Sequence, residues 1–345
     1  MMFGYRSCRI AAAAMAAVLI SCGSAFSAEY SNLGISDVVR IADTMLKKGD
    51  YANAIPALKE IIDRTQGKGT TAQMRKTLQD TRFQLARAYF QVGRSQEGMK
   101  YLEVYMAEKP RNDERLALRM MARGYLEAET WDKAEEYARR LLDMDRLDDE
   151  DRLYGSLLYG QALFQQEKWS ESIEPLMYAV KNSREDSVRR TAQIFATSAM
   201  VEGKQWSELL DLLRAILGTD AKYDITLNVT LMQGGKTLFE DALDKDEEEG
   251  RNDLLNALFL YRMVLPRAEL IEHANGRLRT LEAEKERLVR AGAPQADIAD
   301  VQQEIDDINE SVEYLEGLPP YEEEVDFRIG QIYAEVKRYW EGYVL

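Results

Sequence analysis

Trp131-Asp132-Lys133-Ala134-Glu135-Glu136-Tyr137-Ala138-Arg139-Arg140-Leu141 is the stretch that decides how this chain folds. Its apolar and small residues Trp131, Ala134, Ala138 and Leu141 share one face of a helix, and its charges share the other. An aromatic followed by a small residue three places on and another core residue four places later recurs as Tyr51/Ala54/Leu58, Trp169/Ser172/Leu176 and Trp206/Leu209/Leu213. Ser95/Gly98/Leu102 is a weaker copy. Successive copies begin 44, 36, 38 and 37 residues apart, a period that marks stacked helix pairs. Around each copy the apolar positions keep helical spacing, as in Ile41 and Met45 and then Ile55, Leu58, Ile61 and Ile62. No such helix buries its face alone, so the expected fold class is all-α, a solenoid of antiparallel helix hairpins joined into one core.

These residues resemble the tetratricopeptide repeat (TPR) over roughly residues 35–217. The small residue at repeat position 8 reads Ala42, Ala86, Ala122, Gly160 and Thr197, and position 11 reads Met45, Tyr89, Tyr125, Leu163 and Met200. Pro110 stands where the family often stops its second helix. Leu209 departs from the pattern by replacing a small residue, and Leu58, Tyr105 and Leu141 enlarge other positions. The resemblance implies a protein-binding scaffold whose first helices line a concave groove. Carried over position by position, that groove holds Arg87, Phe90 and Gln91, then Arg119, Arg123 and Leu126, then Tyr154, Gln161, Phe164 and Gln165. Three arginines beside aromatic rings suit an extended peptide with acidic or carboxylate groups, or else balance nearby glutamates.

The chain has 345 residues, 30% of them charged and 46% hydrophobic, as in ordinary helical proteins. Its net charge of −15 is less ordinary. With a pI near 4.8, the overall field repels phosphates, which argues against nucleic acid and anionic lipid surfaces as partners.

Residues 1–28 read as a secretory signal: Arg6 and Arg9, an apolar run from Ile10 to Ile20, then Ser21-Cys22-Gly23-Ser24-Ala25-Phe26-Ser27-Ala28. Losing those two arginines takes the exported form from −15 to near −17. The only cysteines are Cys8 and Cys22, so nothing beyond position 22 forms a disulfide or binds metal through sulfur. Leu19-Ile20-Ser21-Cys22 resembles the bacterial lipobox, which implies lipid attachment at Cys22; ordinary cleavage near Ala25 to Ala28 is the alternative. The two readings give an outer-membrane lipoprotein facing the periplasm, or a soluble periplasmic protein. Gly23, by resemblance to enterobacterial sorting, is compatible with the outer membrane.

Residues 218–266 read as a degenerate sixth repeat: a long helix from Tyr223 to Leu243, a solvated acidic loop from Asp244 to Gly250, then a second helix bearing Ala257, Tyr261 and Val264. In 267–317, Ile271, Ala274, Leu278, Leu281, Lys285 and Leu288 keep heptad spacing, Ala291-Gly292-Ala293-Pro294 breaks it, and Ile298, Val301, Ile305, Ile308, Val312 and Leu315 resume it. The pattern predicts an inserted antiparallel coiled-coil hairpin with arms of about 20 residues, or ~30 Å. In 318–345 a partial C-terminal repeat returns, with Gly330 at position 8, Tyr333 at 11, Tyr339 at 17 and Gly342 at 20. Its second helix would be completed by a partner, another chain or further sequence.

Catalytic constellations are sparse. The single His273 is expected as a surface residue flanking the coiled coil. Gly234-Gly235-Lys236-Thr237 ends like a phosphate loop, but Thr230 stands where the first glycine belongs. Glu249 occupies the turn position that a calcium loop reserves for glycine. No enzyme activity, cofactor or metal is expected. The functional expectation is a scaffold for protein partners in the bacterial cell envelope, through its concave face and coiled-coil arm. Signal plus repeats is similar in layout to the TPR lipoprotein of the outer-membrane β-barrel assembly machinery. A structural partner of the Tol-Pal or a proton-driven envelope motor is the alternative, with the coiled coil as oligomerisation arm; a cell-wall enzyme is a third class.

Overall fold

The computed structural model describes residues 30, 32–66, 71–108 and 113–337. The signal stretch with Cys22, Pro110, and Tyr339 and Gly342 lie outside them. The described residues form fifteen α-helices and no strand. The chain separates into two compact units, Met1–Arg111 and Asn112–Leu345; the division falls inside the stretch that the sequence reads as five like repeats.

The first unit holds α1 (Ile35–Lys47), α2 (Tyr51–Thr65), α3 (Ala72–Gln91) and α4 (Ser95–Ala107). Asp50 and Thr71 cap α2 and α3 by accepting the backbone N–H groups of Asn53 and Met74. Val38, Ala42, Ile55, Leu58, Ile61, Leu85 and Tyr89 form its core. α4 crosses α3 closely because Gly98 has no side chain: a Cβ there would lie 2.9 Å from the Ala86 carbonyl oxygen and 2.8 Å from the Phe90 ring.

The second unit begins with three hairpins: α5 (Glu114–Glu127) with α6 (Trp131–Leu142), α7 (Asp149–Gln165) with α8 (Trp169–Asn182), and α9 (Asp186–Glu202) with α10 (Trp206–Ile216). After a 3-10 turn over Asp220–Tyr223 come α11 (Ile225–Leu243) and α12 (Glu247–Met263). Bulky Leu209 fits at a small-residue position because it is fully buried in a core that runs from Leu157 to Val336. Gly160 makes the same kind of close crossing as Gly98, since a Cβ there would sit 2.6 Å from Leu176 Cγ.

One backbone turn joins the two helices of five successive hairpins. Gly49, Gly93, Glu129, Glu167 and Lys204 all have positive φ, between 52° and 72°. The next residue in each case donates its N–H to the carbonyl at repeat position 11: Asp50 to Met45, Arg94 to Tyr89, Thr130 to Tyr125, Lys168 to Leu163 and Gln205 to Met200, all at 2.8–3.0 Å. This is a left-handed helix stop with a five-residue back-bond. The following residue starts the second helix, and in four of the five it is the aromatic by which the repeat is read, Ser95 being the exception.

Contacts between neighbouring hairpins repeat at about the same sequence interval. Gln166 and Lys168 donate to Glu135 at 2.9 and 2.7 Å, Ser198 pairs with Thr230 at 3.2 Å, and Gln233 donates to Glu202 at 2.7 Å. Their partners lie 31 to 33 residues apart. The polar contacts that stack one hairpin on the next thus span a little less than one repeat of 36–44 residues.

Residues Asp244–Gly250 differ from the expected solvated loop. α11 runs to Leu243, Asp246 caps α12 by accepting from Glu248 and Glu249 N–H groups, and Glu248 and Glu249 lie in its first turn, where negative charge faces the positive end of the helix dipole. Gly250 sits within that turn because a Cβ would meet the Ala242 carbonyl oxygen at 2.5 Å. Gly234 and Gly235 are mid-helix in α11, facing Leu260 and the Tyr261 ring, so the phosphate-loop likeness reflects a close helix crossing.

The coiled-coil hairpin is present as α13 (Arg267–Ala291) and α14 (Gln295–Gly317), which pack antiparallel on each other. The arms are longer than expected, 25 and 23 residues. Gly292 at φ 65° closes α13, and Ala293 N–H bonds the Leu288 carbonyl at 3.0 Å. Leu281 and Ile305 are buried in the seam, and Lys285 reaches across to Gln302. At the base, buried Asn228 of α11 accepts the Leu265 N–H at 2.7 Å and donates to both the Leu265 carbonyl and the Tyr321 hydroxyl. Tyr321 donates in turn to the Leu265 carbonyl at 2.8 Å. The chain then returns to the stack as α15 (Glu322–Glu335), which packs on α12 through Ile329, Ile332 and Tyr333.

Candidate peptide-binding face

The groove residues read from sequence fall on both units. On the first, Arg87 and Gln91 are exposed on α3, whereas Phe90 is half-buried with its ring against the Gly98 backbone. On the second, α5 supplies Arg119, Arg123 and Leu126, and α7 supplies Tyr154, Gln161, Phe164 and Gln165. Phe164 does not reach the surface. It is buried, with ring centroids 4.9 Å from Trp169 and 5.2 Å from Phe195, because its position on α7 turns inward to the core. Arg123, Leu126, Tyr154, Gln161 and Gln165 are exposed or half-buried.

Arg119 is the best-organised of these. Its guanidinium lies 4.8 Å from the centre of the Tyr154 ring, 3.0 Å from Glu150 and 3.6 Å from Asp151. Arg115, one turn earlier on α5, lies 2.9 Å from Asp148 and 3.5 Å from Asp151. The Tyr154 hydroxyl donates to Glu185 at 3.0 Å, carrying the ladder to the start of α9. Arg123 pairs with Glu127 of its own helix at 2.8 Å. The face is therefore a charge-balanced, aromatic ladder and not a bare cationic strip. Burial lifts the Asp151 carboxyl, with Asp148 adding to the rise, while the Asp151 N–H holds Asp148 below the ordinary range. Burial and then the Glu185 hydrogen bond push the Tyr154 phenol up. Sequence reasoning missed Arg115, Glu150, Asp151 and Glu185; the one available signal was their offset of about one repeat from their partners.

His273 differs from the expected flanking position. It is half-buried where α13 meets the stack, face to face with Tyr223 at 3.9 Å and 12° between planes. Burial lowers its pKa, and Arg277 and Arg190 oppose its protonation. Among the described residues no group of His, Cys, Asp and Glu is placed to hold a metal ion, and no helix is long and apolar enough to cross a membrane.

No protein-family model matches the chain, and no curated protein matches it. Among solved structures it is similar to a kinesin light chain of Podosopora anserina with nearly identical TPR-like repeats, at 21% identity over 55% of this chain and 97% of that one, with a TM-score of 0.42. A variant of the same protein gives 20% identity over 53% and 93%, with a TM-score of 0.41. A monomeric mutant of IFIT1 with Gppp-AAAA aligns with 90% of this chain and 67% of its own at 13% identity, with a TM-score of 0.30.

Proposed function

We propose that this chain is an exported scaffold of the bacterial envelope, anchored through Cys22, that holds an extended segment of a protein partner along the first-helix face of its second unit. The observation that carries this is the Arg119 site. Its guanidinium is preorganised over the Tyr154 ring, and its partner Glu150 keeps 69% of its side-chain surface exposed. A carboxylate on a partner displaces Glu150 at small expense, since exposed ion pairs contribute about 0–1 kcal/mol. Arg123, 69% exposed and paired with a neighbour on its own helix, offers a second contact. Gln161 and Gln165 add amide donors and acceptors for peptide backbone. The envelope assignment rests on the signal-like residues 1–28 and on the lipobox-like order ending at Cys22.

The test is affinity capture from envelope extract with the wild type and the Arg119→Glu, Arg123→Glu double variant. Capture falls about tenfold with helical content unchanged; equal capture by both proteins removes this face from consideration. Fatty-acid labelling tests the anchor separately: the wild type carries label and Cys22→Ala does not, whereas an unlabelled wild type refutes lipid attachment.

A further inference from the structure

The foot of the arm is tied by its own polar groups. Arg267 donates its N–H to Glu322 at 2.9 Å and its guanidinium to the Pro319 carbonyl at 2.7 Å, beside the Asn228 hydrogen bonds to Leu265 and Tyr321. About one turn beyond buried Leu270, α13 meets the stack again through His273, which lies flat on Tyr223 of the 3-10 turn with ring centroids 3.9 Å apart. Further out α13 packs on α14.

Cations surround that contact. Lys222 places its ammonium 4.7 Å from the centre of the same Tyr223 ring, and Arg190 of α9 and Arg277 of α13 both act on the imidazole. Arg277 pairs with Glu304 of α14, whereas half-buried Arg190 has no carboxylate within ion-pair distance among the described residues. Of the nearby carboxylates, Asp220 favours a protonated ring, Asp224 is engaged in capping α11 through the Leu227 N–H at 3.1 Å, and Glu269 and Glu272 of α13 are exposed.

From this arrangement we infer that the His273–Tyr223 stack is a latch that a proton opens: the neutral imidazole holds the first turns of α13 against the 3-10 turn, and the imidazolium, set among Lys222, Arg190 and Arg277, leaves it, so that the arm pivots on the Asn228 hydrogen bonds at its foot. The surrounding groups set the direction. Burial has the largest effect and lowers the imidazole from its ordinary value of 6.5; Asp220 opposes this, and Arg277, Arg190 and Lys222 add to it. A latched ring binds its proton less readily than a free one. Latching is therefore complete above about pH 6.5 and is lost as the pH falls through the depressed latched value. Asp224 has the opposite sign, since burial raises its carboxyl; its protonation favours the closed junction and does not drive release.

His273 is the single histidine of the chain, so one imidazole signal in the proton NMR spectrum reports its titration. Arm position is read from the distance between spin labels at Ala283→Cys on α13 and Glu208→Cys on α10, both exposed positions, in the full chain with Cys8 and Cys22 changed to serine. With no further substitution, the imidazole titrates below about pH 6.5, and from about pH 7.5 to about pH 5 the population at the closed distance falls about twofold or more while helical content by circular dichroism is unchanged. His273→Phe keeps a flat ring without a proton and stays closed at both pH values. Tyr223→Leu opens the arm at the higher pH and returns the imidazole toward its ordinary value. A titration at or above about 6.5 overturns the inference, as does a label distance that ignores pH. Acid opening of His273→Phe to the same extent also overturns it, by assigning the change to other groups, and so does a Tyr223→Leu chain that stays closed with its helical content intact.

Discussion

Glu167→Gly isolates what the repeated turn contributes. Glu167 is exposed and sits at φ 61°, a conformation that disfavours a side chain by roughly 1–2 kcal/mol. Glycine removes that strain but has more freedom to lose on folding, about 0.5–1 kcal/mol. The net expectation is a gain of about 0.5–1 kcal/mol, or roughly 1–4 °C in melting temperature for a unit of this size. Glu167→Ala is the control, because it deletes the same side-chain contacts and keeps the strain. Gly93→Ala is the reciprocal change: its added Cβ meets nothing within 4 Å, so its loss of about 1 kcal/mol is conformational. Urea and thermal unfolding followed by circular dichroism and tryptophan fluorescence read all three, with midpoints compared because a repeat array need not unfold in one step. Glu167→Gly no more stable than Glu167→Ala refutes the argument that the left-handed stop, rather than side-chain contacts, governs this position.

Asn228→Ala leaves the Leu265 N–H and the Tyr321 hydroxyl short of a buried partner and should destabilise the second unit by about 1–3 kcal/mol, measured as a lowered urea midpoint. Glu135 gives a pH prediction. Burial raises its pKa, but hydrogen bonds from Lys168 and Gln166 outweigh this and leave it below the ordinary glutamate value. Its stabilising contribution is therefore complete above about pH 4.3 and is lost as pH falls through the depressed folded value. Glu135→Gln should flatten that acid limb of the stability profile; an unchanged limb shows that other carboxylates set it.

Much of this architecture is legible in the sequence because it rests on residues that act within one helix or one turn. Tyr51, Trp131, Trp169 and Trp206 each open a second helix, and Gly292 with Pro294 marks the tip of the arm because glycine tolerates positive φ and proline suits a helix start. The left-handed residues at 129, 167 and 204 are hidden, since glutamate and lysine carry no turn signal. The acidic run at 244–250 reads as a loop until Asp246 is seen capping a helix. For the candidate face, spacing identifies Arg119 and Tyr154 as neighbours on adjacent hairpins, but the pairing of Arg119 with Glu150 depends on the stacking distance between α5 and α7. Phe164 shows the limit of transfer by position: one residue's rotation about α7 separates a groove residue from a core residue.

The Asn228 clamp has an engineering consequence. Leu265 and Tyr321, 56 residues apart in sequence, are joined by a direct hydrogen bond, so everything between them leaves and re-enters the molecule at one point. Lengthening a closed excursion of that kind adds only about 0.6 kcal/mol per doubling in loop-closure entropy. The part of the arm beyond the His273 contact with Tyr223 can therefore be shortened by whole heptads, extended, or exchanged for a foreign domain whose ends lie close together, without changing how α15 meets α12. The outer arm is a ready socket for domain insertion, in which reach and surface chemistry can vary independently of the stack that carries it.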